Sequence, residues 1–204
     1  MANDHSISDF ITKFGGGTRL NRFKITGKLG NIGSNLAQTN LADGGGTYYI
    51  RSASIPGSQV GGIPVNYRGR TVVYPGDRIY SPWPIVVLDE NPNSSSGINL
   101  YKAFHEWSQN INHHTENTTT TPNNPGNQFS NRLSTTGNSN SGSHWTVEQL
   151  DTNGSTSIRK FKLHNCWPAA VGPIELDMDQ ANTIATFAVT MVYSHFEIET
   201  MDGT

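Results

Sequence analysis

Apolar and polar residues alternate along much of the chain, and this two-residue period is typical of strands that bury one face. Residues 22–29 show it clearly, because Phe23, Ile25 and Leu29 fall on one face and basic residues on the other. The same pattern predicts strands at 47–52, 69–74, 84–89, 144–151 and 157–167. Turns are predicted at Pro75-Gly76 and at Asn153-Gly154. The chain is therefore predicted to be mainly β.

The longest strand pattern lies near the end of the chain, at residues 182–198. We predict one continuous strand here, with an apolar face made of Phe187, Val189, Met191 and Tyr193. The other face carries small or polar residues, namely Thr186, Ala188, Thr190 and Ser194. A strand with two such different faces should contact the core on one side and another surface on the other.

A single helix is predicted among the strands, at residues 97–111. Its apolar residues recur at helical spacing and form one stripe: Leu100, Phe104, Trp107 and Ile111. The opposite face is polar, with Lys102, Glu106 and Gln109. The helix is therefore predicted to lie against a sheet with one side in solvent.

Residues 109–143 consist almost entirely of Asn, Thr, Ser, Gly and Pro. Too few apolar side chains are present there to offset the entropy of ordering the chain, so a long surface loop or mobile insertion is predicted. With 204 residues the chain can bury one sizeable core, and we expect one domain over 1–204 that carries this insertion.

The net charge of the chain does not favour tight binding to nucleic acid. The net charge is −2, whereas domains that neutralise many phosphates are usually strongly basic. The charge is unevenly distributed: residues 1–88 carry nine Lys and Arg against four Asp and Glu, and residues 89–204 carry five against twelve. Surfaces of opposite charge could let one copy of the chain attract another.

The chain has one cysteine, so no internal disulfide can form, and synthesis in a reducing compartment is expected. Its N-terminal residues do not resemble a secretory signal. No segment reaches the roughly 18 apolar residues that a membrane helix needs. We therefore expect a soluble protein without a membrane anchor, made in the cytoplasm.

His164 and Cys166 are two residues apart and would share a face of one strand, so a thiol-imidazole nucleophile is formally possible. Nothing around Cys166 resembles a nucleophile elbow, and a single cysteine is commonly a packing residue. We expect this cysteine to be inert.

Two further clusters could bind a cation, but no metal or cofactor site is predicted from them. His113 and His114, near Glu116, lack the i, i+4 spacing that holds two imidazoles on one ion. Three carboxylates would project from one side if their segment is extended, those of Glu175, Asp177 and Asp179. Acid-base chemistry, a solvent face and an ionic contact with another subunit remain open for these acids.

Several segments follow one another in a specific order: 14–25, 51–90, 103–112, 147–151, 163–179 and 185–196. The most specific pieces are IPVNYRGR, GDR followed by Trp83, and WPAAVGPIELD. In this order and spacing they resemble the tail tube proteins of contractile-tailed bacteriophages. The resemblance runs from about Phe14 to Phe196, apart from the polar insertion.

The resemblance implies a β-sandwich or barrel with one flanking helix, assembling into hexameric rings with a continuous β-barrel around the lumen. The rings would stack head to tail into a tube inside a contractile sheath, and double-stranded DNA would pass through without specific binding. Implied partners are further copies of the chain, the tail sheath, the baseplate hub, the tail terminator and a tape measure protein in the lumen. The implied location is the virion, and no catalysis or cofactor is implied.

Candidate residues follow from this resemblance and from side-chain chemistry. Arginines engage carboxylates in a fixed fork, so the subunit-interface candidates are Arg68, Arg70 and Arg78, with Asp77. A basic lumen would hold DNA, so small polar and acidic residues are the candidates for the lumen or for contacts between rings. These are Thr186, Thr190 and Ser194, with Glu175, Asp177 and Asp179. The glycine-containing segments 9–17 and 47–64 are candidate ring-to-ring contacts.

Three alternatives remain open at this point. A tube subunit of a type VI secretion or related contractile injection device would have the same architecture. A Cys-His hydrolase on a β-sandwich would need a reactive Cys166. A secreted carbohydrate-binding sandwich is disfavoured by the absence of a signal sequence and of disulfides.

Overall fold

The computed structural model describes residues 7–14, 17–27, 29, 49–90, 99–115, 144–154 and 156–200. Two helices lie in these ranges, α1 (Ile7–Phe14) and α2 (Leu100–Ile111). The strands are β1 (Phe23–Gly27), β2 (Ile50–Ala53), β3 (Ser58–Tyr67), β4 (Arg70–Tyr80), β5 (Trp83–Leu88), β6 (Trp145–Leu150), β7 (Ser157–His164), β8 (Trp167–Val171), β9 (Thr186–Val192) and β10 (His195–Thr200).

The strands form two four-stranded sheets and one separate hairpin. The first sheet has the order β1-β6-β7-β10, and the second has the order β2-β5-β9-β8. Strands β3 and β4 pair only with each other, as a two-stranded ribbon. All neighbouring strands are antiparallel. The prediction of a mainly β chain is therefore confirmed.

The inner faces of the two sheets share one hydrophobic core. Trp83 of the second sheet and Trp145 of the first meet edge to face, with ring centroids 5.9 Å apart. The alternation in β1, β6, β5 and β9 places apolar residues on these inner faces, and they are buried: Ile25, Val147, Ile85, Val87, Phe187, Val189 and Met191. Burial of this set is the main favourable contribution to folding.

Helix α2 packs its apolar stripe onto this core, as predicted. The ring of Phe104 contacts both sheets, lying 6.3 Å from Trp145 and 6.1 Å from Phe187. The helix begins after Asn99, whose side chain accepts a hydrogen bond of 2.8 Å from the backbone N–H of Lys102. This cap satisfies one of the backbone donors that are free at a helix N-terminus.

The prediction of one continuous strand at 182–198 is wrong. Strand β9 belongs to the second sheet, the chain turns after Tyr193, and β10 belongs to the first sheet. The buried residues from Phe187 to Tyr193 are odd-numbered, whereas the next apolar residues, Phe196 and Ile198, are even-numbered. This change of phase moves the apolar face to the other side of the chain, which one straight strand cannot do.

The predicted turn at Pro75-Gly76 is also wrong, because these residues lie inside β4. The chain instead reverses at Arg68-Gly69, whose φ angles of 47° and 82° match the positive φ that a type I′ hairpin requires at both central positions. Pro75 lies opposite Gly62, beside a register shift between Val60 and Gly62. A bulge of this kind is one of the few places where a strand accepts a proline.

The structure has a second helix, α1, where a loop with ring-to-ring contacts was expected, so the prediction of a single helix is corrected. Most of the predicted polar insertion, residues 116–143, lies outside the described residues. Its first three residues, 109–111, form the last turn of α2. Within the described ranges, no helix is long and apolar enough to cross a membrane.

Candidate assembly surfaces

The hairpin of β3 and β4 projects from the folded body with almost no side chain buried. Its strands have ten and eleven residues, and only Gly61, Gly76 and Tyr80 are even half-buried. An isolated two-stranded hairpin is at best marginally stable in water. We therefore expect another protein surface to cover this hairpin in the functional protein.

One face of this hairpin is apolar. Cross-strand pairing places Val65 opposite Val72 and Ile63 opposite Tyr74. Because residues two apart share a face, these side chains form one continuous strip with Tyr67, which we call the hairpin stripe: Ile63, Val65, Tyr67, Val72 and Tyr74. All five are exposed. Contiguous exposed apolar surface of this kind marks an interaction site.

The three candidate arginines all lie on this hairpin. Arg68 is in the turn, with its guanidinium 5.3 Å from the ring centroid of Tyr67. Arg70 begins β4, and Arg78 donates a hydrogen bond of 2.6 Å to the hydroxyl oxygen of Ser58. All three are exposed. In the described part of the chain, none of them forms an ion pair with a carboxylate.

Asp77, the fourth interface candidate, is also exposed on β4. It is the only acid on the hairpin, which carries three arginines, so the net charge of this ribbon is +2. These arginines were predicted to pair with carboxylates within a subunit or between subunits. Among the described residues of the subunit, no such ion pair is present.

Prolines occupy both long edges of the hairpin. In a two-residue hairpin the residues that flank the turn, here Tyr67 and Arg70, form a hydrogen-bonded pair, and such pairs alternate with non-hydrogen-bonded pairs along the ribbon. Pro64 lies three residues before Tyr67, and Pro75 lies five residues after Arg70, so each occupies a non-hydrogen-bonded position. Both therefore stand where a backbone N–H would point away from the partner strand, toward the free edge.

Helix α1 presents a second exposed apolar surface. Its apolar residues lie at i, i+3, i+4 and i+7 and thus share one face, Ile7, Phe10, Ile11 and Phe14. None of them is buried, although Phe10 and Phe14 stack on each other with ring centroids 5.0 Å apart. An amphipathic helix gains most of its stability from packing its apolar face, and among the described residues this face of α1 remains exposed.

The three candidate carboxylates lie on the segment between β8 and β9, which contains no strand. The side chain of Asp177 accepts a hydrogen bond of 3.0 Å from the backbone N–H of Asp179 and so begins a turn. The three acids therefore do not share one strand face, as the sequence analysis had envisaged. All are exposed, together with the apolar side chains of Leu176 and Met178.

A groove of ≈ 900 Å³ brings two of these acids close to β9. Its lining includes Glu175, Asp177 and the outer-face residues Thr186 and Ala188. Two small residues and two acids that the sequence analysis treated separately thus line one surface. Asp179 does not line this groove.

The remaining lumen candidates are divided between two environments. Thr190 is half-buried on the outer face of β9, on the same side as Thr186. Ser194 lies in the turn after β9, where its hydroxyl oxygen accepts a hydrogen bond of 3.1 Å from the side chain of Asn165. Because the strand ends at Val192, Ser194 does not continue the threonine face.

The structure does not support a thiol nucleophile. Cys166 is fully buried, and burial raises the pKa of its thiol to about 12. It follows β7, which ends at His164, and the intervening Asn165 has a φ of 56°, so the two side chains are not neighbours on one strand face. The thiolate form that nucleophilic chemistry needs is therefore disfavoured.

Strand β3, which carries three of the five residues of the hairpin stripe, was not predicted from the sequence. Gly61, Gly62 and Pro64 suggested a loop, because glycine and proline are rare in strand interiors. The signal that could have revealed it is the alternation of Ile63, Val65 and Tyr67 just before a turn.

Beside its two packed sheets, the described part of the chain thus has two exposed apolar surfaces, on the hairpin and on α1, of the kind that binds other proteins. The family model for phage tail tube proteins matches residues 12–199. The chain therefore belongs to the phage tail tube protein family and is a structural subunit of a phage tail tube, not an enzyme.

Relatives and solved structures are consistent with this family. The tail tube protein of Serratia phage KSP90 is 24% identical over 193 residues, covering 95% of each chain. Tail tube protein gp19 of Enterobacteria phage T4 is 23% identical over 151 residues, covering 74% of this chain and 80% of the relative.

Two structures of contractile injection assemblies share the fold at low identity. A chain of the PVC sheath-tube complex in its extended state aligns with a TM-score of 0.53 and 12% identity, covering 96% of this chain and 99% of the other. A chain of the anti-feeding prophage baseplate aligns with a TM-score of 0.56 and 10% identity, covering 91% and 97%. At such identities the likeness shows the fold alone.

Proposed function

We propose that the chain forms hexameric rings that stack head to tail into the inner tube of a contractile phage tail, the conduit through which double-stranded DNA enters the host. The observation that carries this proposal is the hairpin. The two sheets and α2 pack around a buried core, whereas the hairpin stripe and the apolar face of α1 are exposed in the described part of the chain. In a ring or a stack of rings, both surfaces would be buried by neighbouring copies.

The charges of the described surfaces fit contacts between unlike surfaces of successive copies. The hairpin carries a net charge of +2, and the segment 172–185 carries three carboxylates and no Lys or Arg. Arg70 and Arg78 on one subunit would form charge-assisted hydrogen bonds with Glu175 or Asp177 on the next. A contact of this kind is head to tail, so it can repeat along a tube.

The outer face of β9 and the adjacent groove are the surface that we assign to the lumen or to the contact between rings. Thr186 and Thr190 are small and uncharged, and Glu175 and Asp177 are acidic. Such a surface releases no counterions from DNA and so gives it no electrostatic binding. DNA would therefore slide past it without being held.

Further partners follow from the place of a tube in a contractile tail. We propose that the outer surface of the tube meets the sheath, and that its ends meet the baseplate hub and the terminator. A tape measure protein would fill the lumen before DNA does. Structurally similar chains are known from a sheath-tube complex, a baseplate and a tube-terminating cap, which supports these assignments.

Negative-stain electron microscopy tests the proposal directly. The purified protein is imaged over a concentration series, alone and with the baseplate of the same phage as a template. Hollow six-fold rings or tubes are expected in at least one of the two series. Compact closed dimers, or monomers at every concentration even with the template, would contradict it.

A further inference from the structure

A row of three histidines crosses the outer face of the first sheet. His195, the first residue of β10, lies directly opposite His164, the last residue of β7. Their rings are stacked, with centroids 4.5 Å apart and planes 3° from parallel. His144, just before β6, contacts the other side of His164 edge to face, at 4.7 Å. Tail assembly as described above makes no use of these residues.

A carboxylate completes the cluster. Glu197 is two residues after His195 on β10, and alternate residues of a strand share a face. Its Oε2 atom lies 3.2 Å from Nε2 of His164. Although the two atoms are close, they do not form a hydrogen bond: Nε2 of His164 is buried and has no hydrogen-bond partner in the described part of the chain.

The two neighbouring lysines, Lys160 and Lys162, do not form ion pairs with Glu197. Lys160 pairs with Glu199 at 3.0 Å and with Glu148 at 3.7 Å. Lys162 lies opposite Glu197 in the register, but the two form no ion pair. Among the described residues, the ion-pair contact of Glu197 is with His164 alone.

One potential ligand atom from each of His164, His195 and Glu197 lies within 4.8 Å of the other two. Ligand atoms bound tetrahedrally to zinc at about 2.0–2.1 Å would be about 3.3 Å apart, so the atoms that are furthest apart must approach by up to about 1.5 Å. The side chain of His164 is enclosed, with 15% of it exposed, whereas His195 and Glu197 are exposed. Metal binding would therefore involve rotamer changes of these two exposed side chains, including rotation of the His195 ring out of its stack on His164.

We propose that His164, His195 and Glu197 form a binding site for a divalent transition metal ion of the zinc type. Two imidazoles and one carboxylate are a ligand set that Zn²⁺ takes, with the fourth position left to water or to a group from another molecule. Mg²⁺ and Ca²⁺ prefer sets made of oxygen atoms only. His144 is a positioning residue, because its ring packs on that of His164. The site would join β10 to β7 at the edge of the sheet, and it does not depend on the proposed function.

The test is a metal titration of the full chain without an added histidine tag. The protein is stripped with a chelator and titrated with Zn²⁺ in competition with a chromophoric chelator. One Zn²⁺ per chain is expected, unaffected by excess Mg²⁺. His195→Gln and Glu197→Gln should each lower the affinity by about tenfold or more, since even partners outside the ligand set alter metal affinity by about 10–100-fold.

A matched control removes two histidines elsewhere, in the variant His113→Gln/His114→Gln, which should bind Zn²⁺ as the unchanged chain does. Co²⁺ gives a second readout, because a four-coordinate site produces strong visible absorption that His195→Gln should abolish. Both single variants alter exposed side chains, and equal melting temperatures without metal would show that they fold. Absence of a tight site, equal binding by the variants, or loss of binding in the control would overturn the proposal.

Discussion

Replacing the cross-strand pair Val65 and Val72 with threonine should weaken tube assembly while leaving the subunit folded. Threonine is β-branched like valine, so the strands keep their preference for extended backbone. The two valines are 45% and 47% exposed in the isolated subunit. Complete burial of a valine side chain contributes about 1.5–3 kcal/mol, so burying the exposed half contributes about 1 kcal/mol for each. Threonine replaces one of the two methyl groups with a hydroxyl, so each replacement loses about half of this contribution and adds the cost of partly burying a hydroxyl group, together about 1 kcal/mol. The double variant should therefore lose about 2 kcal/mol per subunit on assembly.

That loss corresponds to a rise of about 30-fold in the critical concentration for tube formation, because each 1.4 kcal/mol is tenfold. Sedimentation of assembled tubes over a concentration series measures it, and urea unfolding of the unassembled subunit should change little. The matched control is Val73→Thr, which makes the same replacement on the other face of the same hairpin and should have the smaller effect. A rise below about threefold in the double variant, or an equal rise in the control, would refute the assignment of the stripe to a subunit contact.

Three further outcomes are expected. Gly27→Ala should cost about 1–3 kcal/mol in urea unfolding, because a Cβ there would collide with the buried ring of Trp145, whereas Gly57→Ala, with open space around it, should be neutral; equal costs would contradict this account. Burial raises the pKa of Cys166 from 9.0 to about 12, so the unfolded thiol ionises before the folded one; the resulting contribution to stability is fully present below pH 9.0 and is lost as the pH rises toward about 12. Cys166→Ala should remove this loss of stability at alkaline pH, and an unchanged dependence of stability on pH would show that another group causes it. Arg70→Glu should raise the critical concentration about tenfold if the reversed contact costs about 1.4 kcal/mol, and unchanged assembly would remove Arg70 from the interface.

The sequence was sufficient for the parts of the fold that follow from burial alone. Helix α2 was predicted because Leu100, Phe104 and Trp107 repeat at helical spacing, and all three are buried in the core. The inner faces of β1 and β9 were predicted in the same way. In each case one face of the element packs on the core, so the spacing of apolar residues along the chain predicts which face is buried.

The elements with exposed apolar faces were predicted poorly. The hairpin has apolar residues on exposed positions and a proline within each strand, so its pattern indicated a turn at Pro75-Gly76 instead of one at Arg68-Gly69. Helix α1 has only eight residues and buries none of them. The histidine cluster was missed because His164 and His195 are 31 positions apart in the chain and meet only through the pairing of β7 with β10.

The prolines on the edges of the hairpin have a consequence for how copies of the chain avoid wrong partners before a tube exists. A long exposed ribbon with an apolar face is a template for irregular strand addition. Pro64 and Pro75 each remove the donor that an incoming strand would need at that point. Unspecific edge pairing is thereby interrupted on both sides, and an ordered neighbour can pair only in a register that avoids these positions. The same two residues would thus protect the free subunit from aggregation and restrict the ways in which it can join a tube.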